Sequence, residues 1–255
     1  MNIFPIDSPC FDDCRNLLPN PEVDWPTALE LEKIFTLPLS LIDDPSPQSE
    51  NGILLQKLGY EGFIEKTRSV PTRSNYHDWF NAFIWSQFPS TKYQLNQWHV
   101  QDIEVNGLHP RSRYRDRITH WDECGVIVLH TKGCNIPELL AEHEWEDAFY
   151  RNKTQWGEQC KAVIFGHAMY ESLLNPFIGL TAKFIPIEVP QNVITESTSL
   201  HLTDIDRRLL VHLSNWQFST KMSPLPILGV PGWYPDQDAI FYQNTQYFMP
   251  KRSQQ

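Results

Sequence analysis

Nothing in this 255-residue sequence approaches the run of about 18 apolar residues that a membrane-crossing helix needs, so no membrane partner is expected. The opening MNIFPIDSPCFDDCRN lacks a basic segment followed by an apolar run, which predicts no secretory leader and a cytoplasmic protein. Basic excess is also missing. With 21 Lys and Arg against 31 Asp and Glu, the formal net charge is −10, and counterion release would not favour binding to nucleic acid. The five cysteines, Cys10, Cys14, Cys124, Cys134 and Cys160, are odd in number and irregular in spacing, which excludes a disulfide framework and a paired CxxC site. Cys10 and Cys14 would hold a metal only with further ligands from elsewhere, and buried free thiols are the simpler reading. There is no Walker loop, GxGxxG, GxSxG or HExxH, so nucleotide-dependent, serine-hydrolase and zincin chemistries lose their sequence support. No Gly/Ser-rich linker and no internal repeat divides the chain, and one compact body is expected.

What is present is aromatic. The composition is 41% hydrophobic and 13% aromatic, that of a folded chain with a sizeable core. PTALELEKIFTLP predicts a short helix opened near Pro26 and closed by Pro38, and LLQKLGYEGFIEKTRSV a second, bent near Gly59, with DDPSPQSENG as the loop between them. A third helix is predicted over about 76–87, with Asn75 as cap, Asp78 as the carboxylate of a capping box, and Phe88 and Pro89 as its end. ITHWD, the turn DECG and GVIVLHT then predict a β-hairpin. GVIVLH, PELLAEHEWEDAFY, KAVIF, HAMYESLL and GLTAKFIPIEV follow as alternating strands and helices, which predicts parallel strands. DIDRRLLVHLSNW predicts a further helix, and the Pro- and aromatic-rich remainder an extended segment draped on the body. The fold class is therefore α/β, or mixed α+β: a central, partly parallel sheet with a β-hairpin, crossover helices and an N-terminal helical layer. Residues 1–54 form an extension packed on a 55–252 domain.

Three runs mix His and carboxylates with aromatics. VPTRSNYHDWFNAFIWSQFPSTKYQLN carries Arg73, His77 and Asn81 among seven aromatic side chains. RYRDRITHWDECG carries Arg115, Asp116 and Asp122, and AVIFGHAMYE carries His167 and Glu171, with Lys183 further on. His167 follows Gly166 at a predicted strand-to-helix junction, where open sheets place ligand sites. Glu171 lies one helical turn on, close enough to share an ion or a proton with it. A capping or core histidine fits the same pattern. RSRYRDR, if extended, puts Arg111, Arg113, Arg115 and Arg117 on one face, suited to a phosphate or carboxylate, or to neutralising nearby acids.

VPTR, HDWFNAFIWSQFP, TKYQLN, RDRITHWDECG, FGHAMYE, GLTAK, PILGVPGW, FY and YFMPKR together resemble the bacterial domain-of-unknown-function family numbered 3025, over about residues 55–252. Met249 stands where an Arg would be expected. The resemblance implies a stand-alone bacterial domain and brings no catalytic assignment with it. The residues themselves support an enzyme acting on a small anionic substrate. His167 or His77 is its base or metal ligand, Glu171 and Asp116 are the partner carboxylates, and Arg73, Asn81, Arg115, Asp122 and Lys183 are the substrate contacts. A divalent metal is one option, and the cofactor and the oligomeric state are otherwise left open. A non-catalytic binding module with an aromatic surface around Trp79, Trp85 and Trp233 is the competing reading.

Overall fold

Helix α1 (Ala28–Ile34) begins where Thr27 can accept from the Glu30 amide while the Glu30 carboxylate accepts from the Thr27 amide, so two orphan donors are satisfied by one sequence motif. In the computed structural model, which describes residues 6–20 and 25–251, there follow strand β1 (Ser40–Asp43), helix α2 (Glu50–Thr67), strand β2 (Ser69–Thr72) and helices α3 (Tyr76–Gln87), α4 (Pro89–Asn106) and α5 (Arg113–Cys124). After them come β3 (Gly125–His130), α6 (Ile136–Glu142), β4 (Cys160–Ile164), α7 (His167–Leu173), β5 (Thr181–Glu188), α8 (Gln191–Thr195), α9 (Leu202–Trp216), β6 (Ser223–Pro226) and α10 (Ala239–Tyr242). The first five residues, on which the absence of a leader was partly read, lie outside the described ones. No helix among the described residues is long and apolar enough to cross a membrane.

The chain divides into two compact units, each discontinuous in sequence. Of the described residues, the first gathers 6–15, 124–201 and 222–251, and the second 16–20, 25–123 and 202–221. In the first, four strands form a mixed sheet in the order β4-β3-β5-β6. Val126 to Leu129 of β3 are fully buried, which is why this strand reads as an unbroken apolar run rather than an alternation. Only β3 and β5 pair in parallel; β4 and β6 are antiparallel to their neighbours. The fold class is thus a mixed α/β arrangement with parallel strands, and the expectation that β4 also runs parallel is corrected. The predicted helix PELLAEHEWEDAFY is likewise broken: α6 ends where His143 turns left-handed, and a separate π-helical turn spans Asp147–Arg151.

The C-terminal segment packs as expected but is only partly extended. Leu225, Ile227 and Leu228 are buried, the Tyr247 hydroxyl donates to the Leu180 carbonyl at 2.7 Å, and Gln237 donates to the Leu228 and Val230 carbonyls. All five cysteines are free thiols. Burial pushes the Cys10 thiol up to about 12, and raises Cys14 and Cys160 further, so these sulfurs stay protonated and unreactive at neutral pH.

In the second unit β1 and β2 pair in parallel, and the helices enclose an aromatic core. Helix α3 buries every residue from Asp78 to Trp85, with the Trp79 and Phe83 rings stacked 5.8 Å apart. A helix apolar on nearly all sides is a core helix. The competing reading of an aromatic recognition surface is therefore corrected, since Trp79, Trp85 and Trp233 are 1, 2 and 7% exposed.

The predicted hairpin at 118–131 is replaced by helix α5 running directly into β3. The Ser112 side chain accepts from the Arg115 amide and its carbonyl from the Asp116 amide, so Ser112 caps the helix. Arg115, Ile118 and Trp121 then recur at helical spacing on its buried side. Helical rather than extended backbone also fans out the arginines of RSRYRDR, so the single cationic face predicted for them does not form.

Candidate functional site

Helix α4 is not among the elements the sequence predicts, and it organises a buried polar cluster of the second unit. Pro89 ends α3 and occupies the first position of α4, where its missing N–H would be unpaired in any case. Along α4, Lys92, Asn96 and His99 recur at four- and three-residue spacing and are all buried, so one face of this helix carries a polar stripe inward.

The Lys92 ammonium, 4% exposed, donates to both oxygens of Asp122 on α5, at 2.6 and 2.9 Å, and to the Asn81 carbonyl oxygen on α3 at 2.9 Å. It also lies 5.3 Å from the Trp85 ring centroid, within cation–π range. These contacts use the three donors of the ammonium. Asn81 passes the network on, donating to the Tyr60 hydroxyl at 3.0 Å. Desolvation, and then the charges of Asp78 and Asp122, drive that hydroxyl's pKa far up, although the Tyr60 side chain as a whole is 40% exposed. The hydroxyl end is the desolvated one.

The kink at Gly59 brings Tyr60 and Glu61 of α2 to this face. Gly59 has φ +72°, and a Cβ there would stand 2.7 Å from Leu108 Cδ1. Gly59→Ala is accordingly expected to cost about 1–3 kcal/mol in stability, measurable by urea unfolding, through left-handed strain and the lost close approach. Glu61 lies 3.7 Å from His99 and 4.0 Å from Arg115, and its carbonyl accepts from Asn96 at 3.1 Å.

Burial lowers the His99 pKa against the opposing pull of Glu61 and Asp122, while Arg115 and Arg111 reinforce the lowering. A histidine that is neutral when folded but protonates when unfolded binds fewer protons in the native state. Its contribution to stability is present above pH 6.5 and falls as the pH drops below that value. Thermal unfolding followed from pH 7.5 to 5 is expected to show less acid sensitivity in His99→Gln than in the wild type.

Two further carboxyls complete the cluster. Asp78 accepts from the Arg73 backbone amide at 2.6 Å and from its guanidinium at 2.9 and 3.0 Å. The Asn75 side chain accepts from the Asp78 amide, so the N-cap forms as predicted, but the Asp78 carboxylate serves Arg73 instead of closing a capping box. Arg73 keeps its side chain 58% exposed. Glu123, next to Asp122 and half-buried, has its carboxyl pushed up by desolvation and by the Asp122 charge, with His77, Arg111 and Lys92 opposing.

The remaining expected residues are placed as follows. Arg115 is 2% exposed and donates to the Leu108 carbonyl at 2.9 Å, so it braces the 108 turn from inside. Asp116 is exposed in the first turn of α5. His167, buried, is the first residue of α7, Glu171 is exposed on the same helix, and Lys183 is half-buried on β5; all three belong to the first unit. Among the described residues no three His, Cys, Asp or Glu side chains are grouped to hold a metal ion. Sequence reasoning passed over Tyr60, Glu61 and His99. The signal that was available is the Lys92–Asn96–His99 spacing.

The model of the family described as "Protein of unknown function (DUF3025)" matches residues 49–252. The chain belongs to this family. The matched span takes in the whole Lys92 cluster of this family member, from Tyr60 to Glu123. No curated protein and no solved structure matches the chain.

Proposed function

We propose that the second unit carries an acid–base site for a small anionic substrate, phosphorylated or carboxylated, in a cytoplasmic enzyme. One observation carries this reading. Asp122 and Glu123 are consecutive carboxylates in unlike surroundings: the first is clamped by a buried ammonium, and the second is raised by burial and by the first. A carboxylate held by an ammonium beside a carboxyl raised by burial offers a fixed charge and a proton-transfer group. Glu123 is the proton donor and acceptor, His77 its charge partner, and Lys92, Asn81 and Tyr60 are positioning residues that fix Asp122. Arg73, exposed beyond its pair with Asp78, supplies the cation for the substrate anion. The expected contributions of His167, Glu171 and Lys183 are not needed for this chemistry.

The test is a thermal-shift screen of phosphorylated and carboxylated metabolites against the full chain and its Arg73→Ala and Glu123→Gln variants. A ligand whose stabilisation is lost in Arg73→Ala is expected, with turnover lost and binding kept in Glu123→Gln. Glu123→Gln should itself raise the unliganded melting temperature at pH 7, because it removes a charge the fold disfavours. No stabilising anion, or one bound equally by Arg73→Ala, overturns the proposal.

A further inference from the structure

The first unit holds a cavity of about 400 Å³, inside the range of small-molecule pockets and apart from the residues of the Lys92 cluster. Trp156, Trp233 and Tyr170 supply aromatic wall, and the polar side chains Asp12, Asp13, Lys161, Ser197 and Thr198 line the same space, with Asp12 paired to Arg15. Thr198 is 2% exposed, and its buried hydroxyl lies beside the Asp13 carboxyl, whose pKa it helps to lower. The Lys161 ammonium makes one long hydrogen bond, 3.4 Å to the Glu196 carbonyl. It acts on the Asp13 carboxyl through space, lowering a pKa that desolvation raises, yet the two do not close into an ion pair. Asp13 retains an exposed face. Opposite charges that line one cavity without meeting leave room for a ligand carrying both complements.

We infer that this cavity binds a small zwitterion of the amino-acid type, with its carboxylate toward Lys161, its ammonium toward Asp13 and Thr198, and an apolar side chain against Trp156 and Trp233. Guest carboxylate and ammonium would each replace lost hydration with a charge-assisted hydrogen bond. The apolar part would bury against the indoles. The cavity shares no residue with the Lys92 cluster.

Binding of L-leucine, L-phenylalanine and L-tryptophan to the full chain, together with their N-acetyl and amide derivatives, tests this by calorimetry, with tryptophan fluorescence as a second readout for the first two. At least one free amino acid is expected to bind. N-acetylation and amidation should each weaken it about tenfold or more, as should Asp13→Asn and Lys161→Met, both at partly exposed positions where folding is retained and is checked by circular dichroism. Thr198→Val should weaken it by a smaller factor. Absence of binding by all three amino acids, equal binding of the blocked derivatives, or undiminished binding in folded Asp13→Asn and Lys161→Met overturns the inference.

Discussion

Asp122→Ala is expected to destabilise the second unit by about 3 kcal/mol, because it leaves a buried ammonium without its counter-charge. Lys92 is 4% exposed, and only the Asn81 oxygen and the Trp85 ring would remain to hold it. Lys92→Met should cost less. The Asp122 side chain is 25% exposed and can recruit water in place of the ammonium. The double variant Lys92→Met with Asp122→Ala should be more stable than Asp122→Ala alone, since neither charge is then left buried and unpaired. Urea midpoints of the four proteins check this. A double variant no better than Asp122→Ala would mean that the ammonium is not the source of the cost.

Asp206→Ala should be comparably damaging, and for a reason invisible in local sequence. Its carboxylate, on α9 and 3% exposed, accepts from the Ser90 and Thr91 amides at 2.9 Å each, and so caps α4 from across the fold. Phe88, the residue at the N-cap of α4, makes no side-chain cap of its own. An anion at a helix N-terminus both satisfies orphan N–H groups and complements the helix dipole. Removing it leaves the fully buried Thr91 amide unpaired, and about 2–3 kcal/mol is expected, with a drop in melting temperature on the order of 5–10 °C. Asp206→Asn, which keeps an acceptor, should lose roughly half of that. Asp204→Ala is the control. Its ion pairs with Arg207 and Arg208 are partly solvent-exposed, and it should change stability by less than about 1 kcal/mol.

These two residues show where the sequence was legible. The helix at 76–87 could be read because its cap, Asn75, and its aromatic content are local signals, and so could the Gly59 kink and the apolar β3. Helix α4 was hidden because Pro89 is at once a stop for one helix and a start for the next, and because its buried face is polar rather than apolar. Helix α5 was misread as a hairpin because Ile118, Thr119 and the DECG run imitate strand and turn, whereas the packing of Arg115, Ile118 and Trp121 favours a helix. Register and direction of β4 depend on pairing partners distant in sequence, which periodicity does not encode.

The site was legible in part for the same reason. Arg73, His77, Asn81 and Asp122 could be picked from composition, and the structure places all four in the second unit. What composition could not supply is Lys92 as the group that binds Asn81 to Asp122, since the three lie on different helices. Asp78 turned out to serve Arg73, and Arg115 an internal turn. Glu123, adjacent to Asp122, was the carboxylate whose surroundings mattered most.

The central claim is that Glu123 is held apart from Asp122 as a proton-transfer group. Titration of the Glu123 side-chain carboxyl carbon by NMR, in the wild type and in Asp122→Asn, tests it most directly. A midpoint above the ordinary value of 4.5 in the wild type, shifting downward when the Asp122 charge is removed, is the predicted result. A wild-type midpoint at or below 4.5 would contradict the account.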